Sequence, residues 1–263
     1  MTRDIVVPIL AAVIAGVLGI VGTLLARRKK RPKRINPHVL GDLVLIINGA
    51  TGVGKSEIAY ALARRYSFYR NVGGDLIREV CRVLHAPLGP EIIVSESSFL
   101  VGRAVSEHAA PVSVAEGVMK QSETLWPVMK AVISRTRERR IAAIFEGVNF
   151  LASLVFGDNG FHPHPGTRIL FVTLFIKDEA THLNRIWTRG FGGLSREAGE
   201  AKYVKNIDLI REANEFFRLD TERAAAQWPK ARIIAIENSG SIESTVNRID
   251  DEIKGLIKGL AAS

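Results

Sequence analysis

The sequence predicts an α/β fold, a parallel sheet sandwiched by helices and preceded by one transmembrane helix. Three observations predict it. An uncharged run lies near the N-terminus, a glycine-rich turn joins the first apolar strand pattern to a helical one, and short apolar runs then alternate with helical patterns along the rest of the chain. With 263 residues, 47% of them hydrophobic, the chain has apolar material for a sizeable core and is neither disordered nor collagen-like in composition. Its single cysteine, Cys81, excludes an internal disulfide and a cysteine-rich zinc site, and reads as a small buried apolar residue on a helix.

Ile5 to Ala26 reads IVVPILAAVIAGVLGIVGTLLA, 22 residues without a charge. At about 1.5 Å per residue that run crosses a hydrocarbon core about 30 Å thick. Pro8 falls in the first two turns, where a missing N–H does least harm. Seven cations follow (Arg27, Arg28, Lys29, Lys30, Arg31, Lys33 and Arg34), whereas Arg3 alone precedes the run and is offset by Asp4. That order is the reverse of a cleaved signal peptide. It predicts a retained single-pass anchor with the chain beyond Arg34 in the cytoplasm. Residues 1–34 are therefore expected to form the anchor and its basic flank, meeting the bilayer through 5–26 and anionic lipid through 27–34, and residues 35–263 the globular domain. The flank carries most of the formal charge of +9, so the body is nearly neutral and nucleic acid is not an expected partner. Small residues four apart, Ala12 and Gly16, then Ala15, Gly19 and Thr23, would let two anchors meet as a homodimer.

After a linker at 32–41, Leu43 to Ile47 is a short apolar run of the kind a buried parallel strand shows. Gly49, Ala50, Thr51, Gly52, Val53, Gly54, Lys55 and Ser56 follow, with the spacing Gly, four residues, Gly, Lys, Ser. From Glu57 the pattern turns helical, with Ile58, Ala59, Leu62 and Ala63 on one face. Strand, loop and helix thus occur in the order a phosphate loop requires, and the body reads as a P-loop NTPase of the nucleotide-kinase-like type. The glycines let backbone N–H groups curl around a polyphosphate, Lys55 reaches the β and γ phosphates, and Ser56 is placed to ligate Mg²⁺. No Asn-Lys-x-Asp run for guanine occurs, which favours ATP over GTP.

Phe68 to Gly73 reads as a second strand that delivers Asp75 and Arg78 on the first turn of a helix, three residues apart. The carboxylate suits an acceptor hydroxyl's proton and the guanidinium an anionic substrate. Ile141 to Phe145 reads as a strand ending in Glu146, an acid suited to the Mg²⁺ shell. Ile169 to Ile176 precedes a charged stretch with His182, Arg185, Arg189 and Arg196, then Gly190, Gly192 and Gly193. Arg185 and Arg189 share a helical face, so this stretch reads as a lid that brings cations over the transferring phosphoryl group. A last strand at Arg232 to Ile236 and a helix from Ser241 to Leu260 close the alternation.

The strings INGATGVGKSEIAYALA, GDLIREV, ESSF, IFEGVNF, HLNRIWTR, KYVKNIDLIREANEFF and IEN, in that order, resemble the 2-phosphoglycerate kinase group of P-loop kinases over Leu43 to Ile257. The resemblance implies ATP- and Mg²⁺-dependent phosphorylation of the free hydroxyl of 2-phosphoglycerate, giving 2,3-bisphosphoglycerate. It implies Lys55 and Ser56 for ATP and Mg²⁺, Asp75 and Arg78 for the acceptor, Glu146 for the metal shell, Arg185 and Arg189 for the lid, and Ser97 and Ser98 on the substrate side. Asn149 stands where a histidine is usual after EGV, Lys202 stands before Tyr203 where an arginine is usual, and the family's soluble enzymes have no anchor. Two other readings stay open at this level. One is a P-loop kinase with a different acceptor, such as a nucleic-acid end or a nucleotide sugar; the other is an ATP-binding membrane switch or scaffold.

His162 and His164, alternating with prolines, read as solvent-exposed loop residues rather than a metal pair. Trp126, Trp187 and Trp228 read as core.

Overall fold

The computed structural model describes residues 40–66, 68–83, 96–106, 112–163, 168–188 and 194–261, all within one compact unit, Ile35–Ser263. Five strands, β1 (Val44–Asn48), β2 (Arg70–Gly73), β3 (Ala143–Glu146), β4 (Ile169–Phe175) and β5 (Arg232–Glu237), form one parallel sheet in the order β2-β3-β1-β4-β5. The helices are α1 (Lys55–Tyr66), α2 (Gly74–Val83), α3 (Val101–Ser106), α4 (Val114–Glu138), α5 (Ala152–Phe156), α6 (Glu179–Thr188), α7 (Arg196–Gly199), α8 (Ile207–Gln227) and α9 (Ile242–Ala261), with a π-helical turn at Glu200–Val204 between α7 and α8.

The central strands read as unbroken apolar runs because both of their faces are covered. Leu45 and Ile47 of β1 join a core with α1 and α9 residues such as Ile58, Leu62, Ile249 and Ile253. Val44 and Ile46 join the opposite core with Ile77, Leu125, Met129 and Phe156 of α2, α4 and α5. Helix α8 contributes to both, through Phe217 on one side and Ala224 on the other. Helix α4 starts on a capping box in which the Ser113 hydroxyl accepts from the Glu116 N–H while the Glu116 side chain accepts from the Ser113 N–H.

Register fixes the site. Gly73 of β2 lies opposite Glu146 of β3, Glu146 opposite Ile47, and Asn48 opposite Thr173 of β4. The strands therefore end together, and the loop after β1 sits between β3 and β4, where the connection from β1 crosses to β2 on one side and the connection from β3 crosses back past β1 to β4 on the other. In open parallel sheets that switch point is where ligands bind.

Several boundaries differ from the sequence expectation. Strand β2 begins at Arg70, because Phe68 folds onto the Tyr66 ring and Tyr69 points outward, although the Tyr69 N–H still donates to the Ala142 carbonyl. Strand β3 begins at Ala143 and includes Glu146 as its last residue. Trp126 is buried and donates to the Asn159 carbonyl, whereas Trp187 and Trp228 are half-buried, Trp187 beneath the Arg196 guanidinium and Trp228 against Phe156. No helix among the described residues is long and apolar enough to cross a membrane. The span expected at 5–26, its basic flank at 27–34, Arg189 and His164 lie outside the described residues.

Cys81 is 2% exposed on the buried face of α2, and burial pushes its thiol pKa up. A buried, protonated thiol is a poor nucleophile. Labelling by a colourless disulfide reagent at pH 8 should be slow in the native chain and rapid in denaturant; equal rates would contradict the packing of α2.

Candidate active site

The phosphate loop runs from Gly49 to Ser56 between the end of β1 and the first turn of α1. Gly49, Gly52 and Gly54 have φ of +141°, +87° and +90°, conformations that side-chain-bearing residues rarely adopt. Space is equally restrictive. A Cβ on Gly49 would stand 2.2 Å from the Leu174 carbonyl oxygen, and one on Gly52 would stand 2.6 Å from the Ile186 side chain.

Lys55 rests on the loop, its ammonium donating to the Ala50 carbonyl at 2.9 Å. The Ser56 hydroxyl donates to Oε1 of Glu146 at 3.1 Å. This contact joins the loop after β1 to the end of β3 and presents two oxygen ligands side by side. Hydroxyl, carboxylate and phosphate oxygens are the hard donors Mg²⁺ takes, so the donor set fits that ion. The sequence-predicted phosphate-loop residues and Glu146 are thus brought together.

On the β2 side, Gly74 opens α2 directly against the turn after β3. A Cβ on Gly147 would lie 3.1 Å from the Gly74 Cα and one on Gly74 3.2 Å from the Phe150 ring, so the two backbones cross closely with little room for side chains. This crossing opens the helix of Asp75 and Arg78 on the β2 side of Glu146. Asp75 is 74% exposed and Arg78 16%; they form an ion pair at 3.6 Å, and Arg78 also meets Glu79 at 3.8 Å and donates to the Glu96 carbonyl at 3.5 Å. Ser97 is half-buried and Ser98 buried, just beyond that carbonyl. Gln121 of α4 donates to the same carbonyl at 2.9 Å, and its Oε1 accepts from Asn149 at 2.8 Å. Asn149 is therefore a buried strut behind the turn, with the Ser122 hydroxyl its second partner at 3.4 Å.

On the β5 side, a pocket of about 570 Å³ is bordered by Gly54, Lys55, Ser56, Arg185, Thr188 and the turn Gly240–Ile242. That volume falls within the range of small-molecule sites. Arg185 is held in this wall, donating to the Gly240 carbonyl at 3.1 Å; burial lowers its pKa while Glu57 opposes that, and a guanidinium stays charged throughout. It borders the phosphate loop as anticipated, but on the flank away from Asp75 and Arg78.

Two residues that sequence reasoning did not assign to the loop support it from below. His182, expected in the charged stretch after β4, is fully buried, and its Nε2 lies 2.7 Å from the Thr51 carbonyl. The Asn238 amide donates to the Val53 carbonyl at 2.8 Å and accepts from Thr245 at 2.6 Å. The IEN string ending β5 contained Asn238, yet nothing local marked its partner. Among the described residues no group of three or more His, Cys, Asp or Glu side chains forms a metal site.

Together these parts define a P-loop phosphotransferase. The chain is 29% identical over 253 residues to the 2-phosphoglycerate kinase of Methanopyrus kandleri, covering 95% of this chain and 72% of that one. It is 28% identical to the 2-phosphoglycerate kinase of Methanocaldococcus jannaschii, covering 84% and 68%, and 31% identical to that of Thermococcus kodakarensis, covering 79% and 64%. Among solved structures it is similar to a gluconokinase from Sinorhizobium meliloti (17% identity, TM-score 0.46, 87% of this chain and 98% of that one). A shikimate kinase from Bacteroides thetaiotaomicron is also similar (17% identity, TM-score 0.43, 81% and 98%). A scan against protein-family models finds no match. The chain is an ATP-dependent kinase, and its relatives support the 2-phosphoglycerate kinase family.

Burial lowers the His182 pKa below its usual 6.5, a shift the Thr51 carbonyl opposes and the cations Arg211, Lys55 and Arg185 reinforce. Between that lowered value and about 6.5 the unfolded chain binds the proton more readily, so this contribution to stability is complete above about 6.5 and is lost as pH falls. The unfolding midpoint should therefore decline with acidification, less steeply in His182→Gln. Parallel profiles for the two proteins would contradict a neutral, buried imidazole.

Proposed function

We propose that this kinase transfers the γ-phosphoryl group of ATP to the free hydroxyl of 2-phosphoglycerate, releasing ADP and 2,3-bisphosphoglycerate. The acceptor is the one the archaeal relatives are named for. The observation that carries the reading on this chain is the Ser56–Glu146 contact at the ends of β1 and β3, with Gly73, directly before the helix of Asp75 and Arg78, in register opposite Glu146.

The triphosphate lies along Gly49 to Ser56, with the nucleoside directed to the pocket beside Arg185 and Gly240. Ser56 and Glu146 would hold Mg²⁺, which supplies neutralisation of charge on the β and γ phosphates. Arg78 receives the acceptor's anionic group, exchanging its loose pairing with Asp75 for a charge-assisted contact. Asp75, freed and exposed, orients the attacking hydroxyl and takes its proton as the new O–P bond forms and the bond to ADP breaks. Lys55 leaves the Ala50 carbonyl for the phosphates, so charge developing in a loose transition state meets a cation already at the loop. Arg185 and Arg189, with the stretch through 193, act as the lid, and Ser97 and Ser98 line the acceptor side.

The domain over 35–263 is held at the cytoplasmic face of a membrane by a span at 5–26, with cations at 27–34 against anionic lipid and anchors paired through their small residues. Resistance of the full chain to alkaline carbonate extraction supports the span; release into the supernatant sinks it.

The acceptor is tested on the full chain with ATP and Mg²⁺ and a panel of small phosphorylated acids, following ADP release. Stimulation by 2-phosphoglycerate with formation of the bisphosphate is the expected result. Stimulation only by another acceptor overturns it. Lys55→Ala should abolish transfer. Asp75→Asn should lower kcat by about 10²- to 10⁴-fold with nucleotide affinity little changed, and unimpaired turnover would remove Asp75 as the proton acceptor.

A further inference from the structure

We propose that His182 and Asn238 are positioning residues that hold the phosphate loop in its anion-binding shape by fixing the peptide planes 51–52 and 53–54. The argument begins with the peptide group. It is planar and trans, so a carbonyl held toward one side sends the N–H of the next residue to the other. His182 holds the Thr51 carbonyl at 2.7 Å, which turns the Gly52 N–H away from the imidazole. Asn238 holds the Val53 carbonyl at 2.8 Å, which turns the Gly54 N–H away from the amide. Gly52 and Gly54 are the loop glycines that border the 570 Å³ pocket. The two side chains therefore set alternate amides of the cradle from outside it, without touching a ligand.

Both donors are themselves fixed. A carbonyl only accepts, so the imidazole hydrogen is assigned to Nε2; Nδ1 is buried with no hydrogen-bond partner. The ring is fully buried and packs so close to the loop that a Cβ added at Gly52 would sit 3.3 Å from its edge. For Asn238 the Thr245 hydroxyl donates to Oδ1, which fixes the amide's orientation and leaves Nδ2 for Val53. The Asn238 main-chain N–H donates to the Phe175 carbonyl at 2.8 Å, so the residue is anchored to the end of β4 as well. Glycine readily adopts other backbone conformations than φ of +87° and +90°, so these donors remove orientations of the two peptide planes that the glycines themselves allow.

The test needs nucleotide alone, so its outcome is independent of which acceptor the kinase uses. Binding of ATP with Mg²⁺ to the full chain is measured by calorimetry for the unsubstituted protein, His182→Ala, His182→Gln and Asn238→Ala, with the thermal midpoint of each. Loss of one buried donor to the loop should weaken nucleotide binding by about 10- to 100-fold in each alanine variant. His182→Gln, whose amide nitrogen can reach where Nε2 stood, should recover most of that loss. If His182→Ala does not fold, Asn238→Ala and the glutamine variant carry the same comparison. A purely structural role lowers the midpoint but leaves nucleotide affinity of the folded protein within about twofold, with Gln no better than Ala, and that result overturns the proposal. Failure of the unsubstituted chain to bind ATP overturns the nucleotide site on which it stands.

Discussion

The loop from Gly49 to Gly54 is confined by neighbours that leave no volume for side chains and few conformations for the backbone. The Leu174 carbonyl, the Ile186 side chain and the Asn238 amide each stand within 3 Å of a position that a Cβ would occupy. These neighbours come from the end of β4, from α6 and from the end of β5. The loop is therefore shaped by the sheet's C-terminal edge as a whole, and the edge is aligned because five parallel strands end in register. A cradle built this way costs little reorganisation when an anion arrives, which is the general advantage of preorganised amides over flexible side chains.

The site divides along the sheet. From the loop toward β2 lie Glu146, Asp75 and Arg78, a metal-suited acid followed by an acid and a cation three residues apart. From the loop toward β5 lie Arg185 and the Gly240–Ile242 turn. Two different kinds of ligand chemistry can thus meet over one loop without sharing a wall. The polar strut of Asn149, Gln121 and the Glu96 carbonyl stiffens the first flank from behind, and the Asn238–Thr245 pair stiffens the second.

Much of this was legible in the sequence, for physical reasons that also mark the limit. Leu43 to Ile47 could be read as a strand, one residue ahead of β1 at each end, because both faces of an inner parallel strand are apolar, and Lys55 and Ser56 because their spacing from Gly49 is fixed by the loop itself. Glu146 was legible because an acid ending an apolar run is unusual. Phe68 and Tyr69 extended the strand expectation too far, since aromatics satisfy a strand pattern even where one, Phe68, packs on Tyr66 at the end of α1 and the other, Tyr69, points outward. His182 and Asn238 escaped assignment because their partners lie 131 and 185 residues away. Periodicity reports which face of an element is buried, and it carries no information on which distant carbonyl that face will meet.

Helix α9 lies far along the chain from the loop and yet is stitched to it. Arg65 pairs with Glu243 at 2.7 Å and with Asp250 at 3.5 Å, the Tyr66 hydroxyl donates to Asp250, and Thr245 steadies the amide that holds Val53. Ribosomes deliver these residues after everything else in the sheet. A chain lacking them loses the partners of the Arg65–Tyr66 end of α1 and the hydroxyl that orients Asn238, so the shape of a loop near the start of the sheet is completed by residues 178 to 185 positions further along.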